Sequence, residues 1–83
     1  MKYTKGKLYG TIVDKDLFTG PVGFVTVQNI RFDGLLQART PFVLLDYFKV
    51  VETFYRFKAL TAEGKISWFL CHENQVLPIE ELI

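Results

Sequence analysis

The chain has 83 residues and a mass of 9.6 kDa, enough for a single domain over residues 1–83. Hydrophobic residues make up 49% of it and charged residues 23%, which excludes an intrinsically disordered protein. A net charge of +1 lacks the basic excess of proteins that bind nucleic acids mainly by electrostatics. The single cysteine, Cys71, excludes an internal disulfide framework and indicates a reducing compartment.

No stretch of the sequence approaches the ~20 uninterrupted apolar residues that a membrane helix requires. The basic N-terminal residues are not followed by the apolar region of a signal peptide. We therefore expect a cytoplasmic protein that makes no contact with a membrane.

The first strand is predicted over residues 7–14, where Tyr9 and Thr11 fall on one face of an alternating pattern. Gly10 inside this strand predicts a bulge or a close approach of the backbone. Residues 14–21 are predicted to follow as a loop, because a Gly-Pro pair closes them.

The second strand is predicted over residues 22–32, the longest run rich in β-branched and aromatic residues. Asp33 and Gly34 come next, and this pair tolerates the positive φ angles of a type I′ turn. The sequence therefore predicts a hairpin at this point, with Phe32 opposite Leu35.

Residues 40–48 carry two competing signals. Thr40 followed by Pro41 is typical of a helix start, whereas the aromatic and branched residues after them are typical of a strand. We favour an extended segment, with one or two helical turns as the alternative.

Residues 50–60 alternate regularly and predict a strand with one face in water. The side chains expected on its buried face are Val51, Thr53, Tyr55, Phe57 and Ala59. Those expected on its exposed face are Glu52, Phe54, Arg56 and Lys58.

A turn at residues 61–64 is predicted to lead into a return strand over residues 65–72. Residues 73–75 turn the chain again, and residues 76–79 predict a short edge strand because Pro78 is tolerated there. The side chains of the return strand expected to point inward are Ile66, Trp68 and Leu70.

These elements predict an all-β domain with at most one short helix. Five or six short strands around one core are typical of a small barrel of the SH3-like or OB-like kind. Closure into a barrel would also remove exposed strand edges, which are an aggregation hazard in a chain this hydrophobic.

The sequence offers no catalytic constellation. Cys71 and His72 are neighbours in a predicted strand, so they point to opposite faces and do not form a nucleophile–base pair. Asp14 and Asp16 are spaced like the start of a calcium loop, but the rest of that pattern is missing. With one histidine and one cysteine there is no metal-binding motif either. We therefore predict a protein that is not an enzyme and has no metal and no cofactor.

Aromatic residues make up 16% of the chain, more than so small an interior encloses. Phe54 shares its strand face with charged residues, and Phe18 and Phe32 lie at the ends of predicted loops. We therefore predict a binding module that docks on a protein partner or on itself through exposed rings. The predicted binding residues are Tyr47, Phe48, Phe54, Arg56 and Lys58.

The same residues allow a second function, the binding of single-stranded nucleic acid. Bases would stack on Phe54 and Tyr47, and phosphates would contact Arg56 and Lys58. The near-neutral net charge and the nearby Glu52 weigh against this alternative. A small-ligand binder or an enzyme is a remote third reading, because so short a chain rarely has spare interior volume.

Overall fold

A seven-stranded antiparallel sheet, curled into a half-barrel, makes up the fold of the computed structural model, which describes residues 3–23 and 29–83. The strand order across the sheet is β3-β2-β6-β5-β4-β1-β7. The described part of the chain thus has seven strands rather than five or six, and its helical elements are two 3₁₀ turns. The strands are β1 (Leu8–Thr11), β2 (Lys15–Phe18), β3 (Phe32–Leu36), β4 (Phe42–Val51), β5 (Phe54–Leu60), β6 (Ile66–His72) and β7 (Val76–Pro78), and the 3₁₀ turns are Glu73–Gln75 and Ile79–Glu81.

The first strand, β1, is shorter than predicted, but its faces are as expected. Tyr9 and Thr11 are both buried. The close approach predicted at Gly10 is confirmed, although side chains make it. A Cβ atom at Gly10 would lie 2.7 Å from Leu82 Cδ1 and 3.1 Å from Ile79 Cδ1. Gly10 therefore lets the second 3₁₀ turn pack on β1, next to the edge strand β7 that was predicted for this end of the chain.

The hairpin predicted at Asp33 and Gly34 is wrong. Both residues lie inside β3, which pairs with β2, a segment predicted as a loop. Phe32 pairs with Phe18 and not with Leu35. The register shifts along this pairing, with one more residue on β3 than on β2, and Gly34 has a φ of 114°. The positive φ that glycine permits therefore serves a β-bulge rather than a chain reversal.

The strand predicted over residues 22–32 is not found in the part that can be compared. Residues 24–28 lie outside the described residues. Residues 22–23 and 29–31 are not in a strand, so β3 begins only at Phe32.

The segment at residues 40–48 is extended, as favoured, and most of it belongs to the ten-residue strand β4. The strand predicted over residues 50–60 is correct only from Phe54 onward. Val51 pairs with Phe54 across a two-residue turn that joins β4 to β5. The alternation predicted for β5 itself is confirmed, because Tyr55, Phe57 and Ala59 are buried and the residues between them are not.

Glu52 opens this two-residue turn with a φ of 44°. Left-handed backbone conformations cost a residue that has a side chain about 1–2 kcal/mol. We expect Glu52→Gly to raise the free energy of unfolding by about 0.5–1 kcal/mol. Glycine removes the strain of the positive φ, and this gain is larger than the entropic cost of ordering the more flexible glycine on folding. Urea denaturation measures the change.

Glu63→Gly is the matched control. Glu63 lies in the turn predicted and found before β6, where Gly64 supplies the positive φ, 80°, and Glu63 does not have one. Glycine at this position should lower the free energy of unfolding by about 0.5 kcal/mol. A loss of stability in both variants would contradict strain at Glu52.

The inward face predicted for β6 is wrong. Its buried side chains begin at Ser67 and include Phe69, which lies opposite the fully buried Phe57 of β5. The register with β5 therefore decides which face of β6 meets the core. Both sets of alternate residues in β6 are largely apolar, so their periodicity does not reveal the choice. The residues that lie on the outer side instead are Ile66, Trp68 and Leu70.

Aromatic rings fill the inner side of the half-barrel. The rings of Phe57 and Phe69 stack with their centroids 5.3 Å apart, and Phe42 meets Phe69 edge-on at 5.4 Å. Such pairs add to the stabilisation that burial itself provides. The buried aromatic side chains among the described residues are Tyr3, Tyr9, Phe42, Tyr55, Phe57 and Phe69.

Tyr3 closes one end of this inner side. Its hydroxyl donates a hydrogen bond to the backbone carbonyl of Glu73 near the other end of the chain. Burial, reinforced by the nearby Glu73 carboxylate, raises the pKa of the Tyr3 hydroxyl well above its ordinary value. Its ring makes edge contacts, at centroid distances from 5.3 to 6.2 Å, with Tyr9, Tyr47, Tyr55 and Phe57.

Candidate functional site

The outer side of strands β4, β5, β6 and β2 carries neighbouring apolar side chains with cations among them. Directly opposed residues on neighbouring strands share a face, so the strand register shows which side chains meet there. Three cross-strand rows carry the surface: Phe48 with Arg56 and Leu70, Lys58 with Trp68 and Phe18, and Phe54 with His72. These side chains, His72 excepted, are called the outer patch below.

The rings of the outer patch are accessible to a partner. Phe48 is 47% exposed and Phe54 is 37% exposed, while Trp68 is half-buried. Phe32, 63% exposed, extends the surface beyond Phe18, with the two ring centroids 6.4 Å apart. A single exposed phenylalanine is ordinary, whereas a contiguous apolar area of this kind marks an interaction site.

Two cations lie against the rings of the outer patch. The guanidinium carbon of Arg56 is 5.0 Å from the ring centroid of Phe48, on the neighbouring strand. The ammonium nitrogen of Lys58 is 5.4 Å from the ring centroid of Trp68. Both distances are within the range of cation–π attraction, which holds the cations on the apolar surface.

In the part of the chain that the structure describes, neither cation has a carboxylate within 4.0 Å, although Lys58 attracts the Asp46 carboxylate at longer range. Asp46, the residue opposite Lys58 on β4, is 3.1 Å from the ammonium of Lys5. The hydrogen bond with Lys5 holds the pKa of the Asp46 carboxyl below its usual range. The ion pairs found in the described chain are Lys5–Asp46, Lys7–Glu80 and Lys65–Asp33.

Two buried nitrogen atoms in this region have no hydrogen-bond partner within residues 3–23 and 29–83. They are Nε of Arg56 and Nδ1 of His72. The other ring nitrogen of His72, Nε2, is 2.6 Å from Oγ1 of Thr53, and the His72 ring meets Phe54 edge-on at 5.2 Å. Both atoms are shielded from solvent, so a molecule that docks on the surface does not reach them in this conformation.

The structure brings four of the five predicted binding residues together and separates the fifth. Tyr47 points to the inner side, where its ring is 5.4 Å from that of Tyr3. Tyr47 and Phe48 are adjacent in β4, and adjacent side chains of a strand point to opposite faces. Tyr47 is therefore not part of the outer patch, and its role in binding stays a prediction.

Sequence reasoning missed Trp68 and Leu70 because it placed both in the core. The signal that reveals them is the short turn between β5 and β6. A hairpin through that turn sets Leu60 opposite Ile66, and counting back from this pair places Trp68 beside Lys58.

The arrangement at Cys71 is as predicted. Cys71 is fully buried on the inner side, while His72 lies on the outer side. Burial raises the pKa of the Cys71 thiol, and its Sγ is 3.5 Å from Oε1 of Gln75. A thiol in this state is a poor nucleophile at neutral pH.

Asp14 has a structural contact. Its carboxylate accepts a hydrogen bond of 2.8 Å from the backbone N–H of Ala38 and so ties two loops together. Across the described residues there is no group of three or more His, Cys, Asp or Glu that could hold a metal ion. Nor does this part of the chain contain a helix with the length and apolarity to cross a bilayer.

A cleft of about 470 Å³ opens between β3 and the turn that joins β5 to β6. This volume is larger than expected for so short a chain. The cleft lies where the inner side chains are small, as at Ser67, and not large rings. Ser67 Oγ donates to Asp33 at 3.2 Å, and the ammonium of Lys65 is 3.1 Å from the same carboxylate. Asp33 and Lys65, two of the charged residues that line the cleft, therefore bind each other.

No protein-family model, curated protein or solved structure matches this chain. Assigning a function therefore depends on the chemistry of the outer patch.

Proposed function

We propose that this protein is a non-enzymatic cytoplasmic binding module, a small barrel domain of the SH3-like or OB-like kind, that docks on a protein through the outer patch. The observation that carries the proposal is the set of exposed and half-buried apolar side chains that the strand register places on one side of four neighbouring strands: Phe18, Phe48, Phe54, Trp68 and Leu70. The cores of protein interfaces are enriched in aromatic residues and arginine, as this surface is.

Side chains of the outer patch are also restrained before a partner binds. Phe48 is held by Arg56, and Trp68 by Lys58, so these side chains have little freedom left to lose when a partner covers them. Immobilising a free side chain at an interface costs about 0.5–1.5 kcal/mol, and this surface avoids part of that cost.

Photo-crosslinking tests the proposal with a matched control. A benzophenone amino acid is placed at Phe48, on the outer side, or at Tyr47, on the inner side, and the chain is expressed in its native cells. We expect the label at Phe48 to capture a discrete protein, identified by mass spectrometry, and the label at Tyr47 to capture none. Equal yields from the two positions, or no product from Phe48, would contradict docking through the outer patch.

Single-strand nucleic-acid binding is the second candidate, favoured by two cations beside aromatic rings. Weighing against it, Arg56 and Lys58 lie on the ring faces that bases need for stacking, and Glu52 borders the surface next to Phe54. Fluorescence anisotropy with a mixed oligonucleotide, at about 50 mM and about 200 mM salt, separates the candidates. We expect no micromolar binding at either salt concentration, whereas affinity that falls steeply with salt would favour nucleic acid.

A further inference from the structure

We infer that the occupant of the outer patch is an acidic amphipathic segment of a different protein, with aspartate or glutamate side chains set among apolar ones. This inference rests on the proposed function and adds the chemistry of the partner. It is carried by the charges in the patch.

A partner that covers the outer patch also removes Arg56 and Lys58 from water. Removing a charge from water is costly unless an opposite charge meets it. Within the described residues neither cation has a carboxylate within 4.0 Å, and Asp46, which Lys58 attracts from the opposite strand, is paired with Lys5. Carboxylates of the partner would supply the compensating charge.

Arg56 strengthens this requirement, because a guanidinium keeps its positive charge at physiological pH. A carboxylate beside Arg56 supplies acceptors in the geometry that a guanidinium prefers.

A second copy of this chain fits the patch poorly. In a two-fold symmetric dimer the same surface meets itself, so an axis through the middle row would set Arg56 against its own equivalent. Like charges placed together at an interface oppose association. Asp46 is engaged with Lys5, and Glu52 lies in the turn beyond Phe54, one row away from Arg56.

A peptide-display selection tests the partner's chemistry. The full chain is immobilised and used to select binders from a random library of 16-residue peptides, whose affinities are then measured with three double variants. We expect the selected peptides to be apolar and net negative. We expect their affinity to fall about tenfold or more in the Arg56→Gln/Lys58→Gln variant. Lys7→Gln/Arg39→Gln removes two charges elsewhere and should change affinity less than about twofold.

The third variant, Phe48→Ser/Leu70→Ser, separates failure of the inference from failure of the proposed function. Peptides that bind it as tightly as the original chain, or a selection with no binders, would overturn docking through the outer patch itself. Neutral or basic peptides that need Phe48 and Leu70 would overturn only the acidic partner. Light scattering that shows dimers, converted to monomers by Phe48→Ser, would replace that partner with a second copy.

Discussion

Phe69→Ala is expected to lower the free energy of unfolding by about 3–5 kcal/mol, most of the stability of a domain this small. Phe69 is fully buried between Phe57 and Phe42, with ring centroids 5.3 and 5.4 Å away. Truncation removes both ring contacts and leaves a cavity that the curled sheet cannot collapse to fill. Urea denaturation followed by far-ultraviolet circular dichroism measures the loss.

Trp68→Ala is the matched control, because Trp68 is the adjacent residue of the same strand on the other face. It is half-buried, and its ring contact is with the ammonium of Lys58. We expect a cost of about 1 kcal/mol, since little of its contact area is with the core. A loss as large as that of Phe69→Ala would show that the outer side is covered in the isolated chain.

Tyr3→Ala is expected to cost about 3 kcal/mol, a large effect for a residue at the start of the described chain. Its ring meets four others at the open end of the half-barrel, and its hydroxyl bonds the carbonyl of Glu73. Tyr3→Phe keeps the ring and should cost about 1 kcal/mol, the net value of one hydrogen bond. The same denaturation measurement compares the two. Equal stability of Tyr3→Ala and the original chain would mean that this segment does not seal the core.

Local patterns predicted those parts of the fold that local chemistry decides. The alternation in β5, the glycine turn at residues 61–64 and the edge strand with Pro78 are all found. Each of these depends on residues close together in sequence. The all-β class follows from the same signals.

Long-range pairing decided the features that sequence reasoning missed. Gly34 supplies the positive φ of a turn or of a bulge equally well, and only the pairing of β3 with β2 selects the bulge. The two faces of β6 are almost equally apolar, so the register with β5 decides that Phe69 is inside and Trp68 outside.

The sequence predicted those residues of the candidate site that belong to β5. Arg56 and Lys58 follow directly from the alternation in that strand, and Phe54 leads it. Tyr47 was grouped with its neighbour Phe48, but it lies on the inner side, because adjacent strand residues face opposite ways.

The bond from Tyr3 to Glu73 joins positions 70 residues apart, and β1 lies between β4 and β7 in the sheet. Neither this bond nor the pairing of β1 with β7 can therefore form before strands β2 to β6 have been synthesised. Closing so long a loop is slow compared with forming a local hairpin. We therefore expect β7 to join the edge of the sheet late in folding, after local hairpins such as β5–β6 have formed.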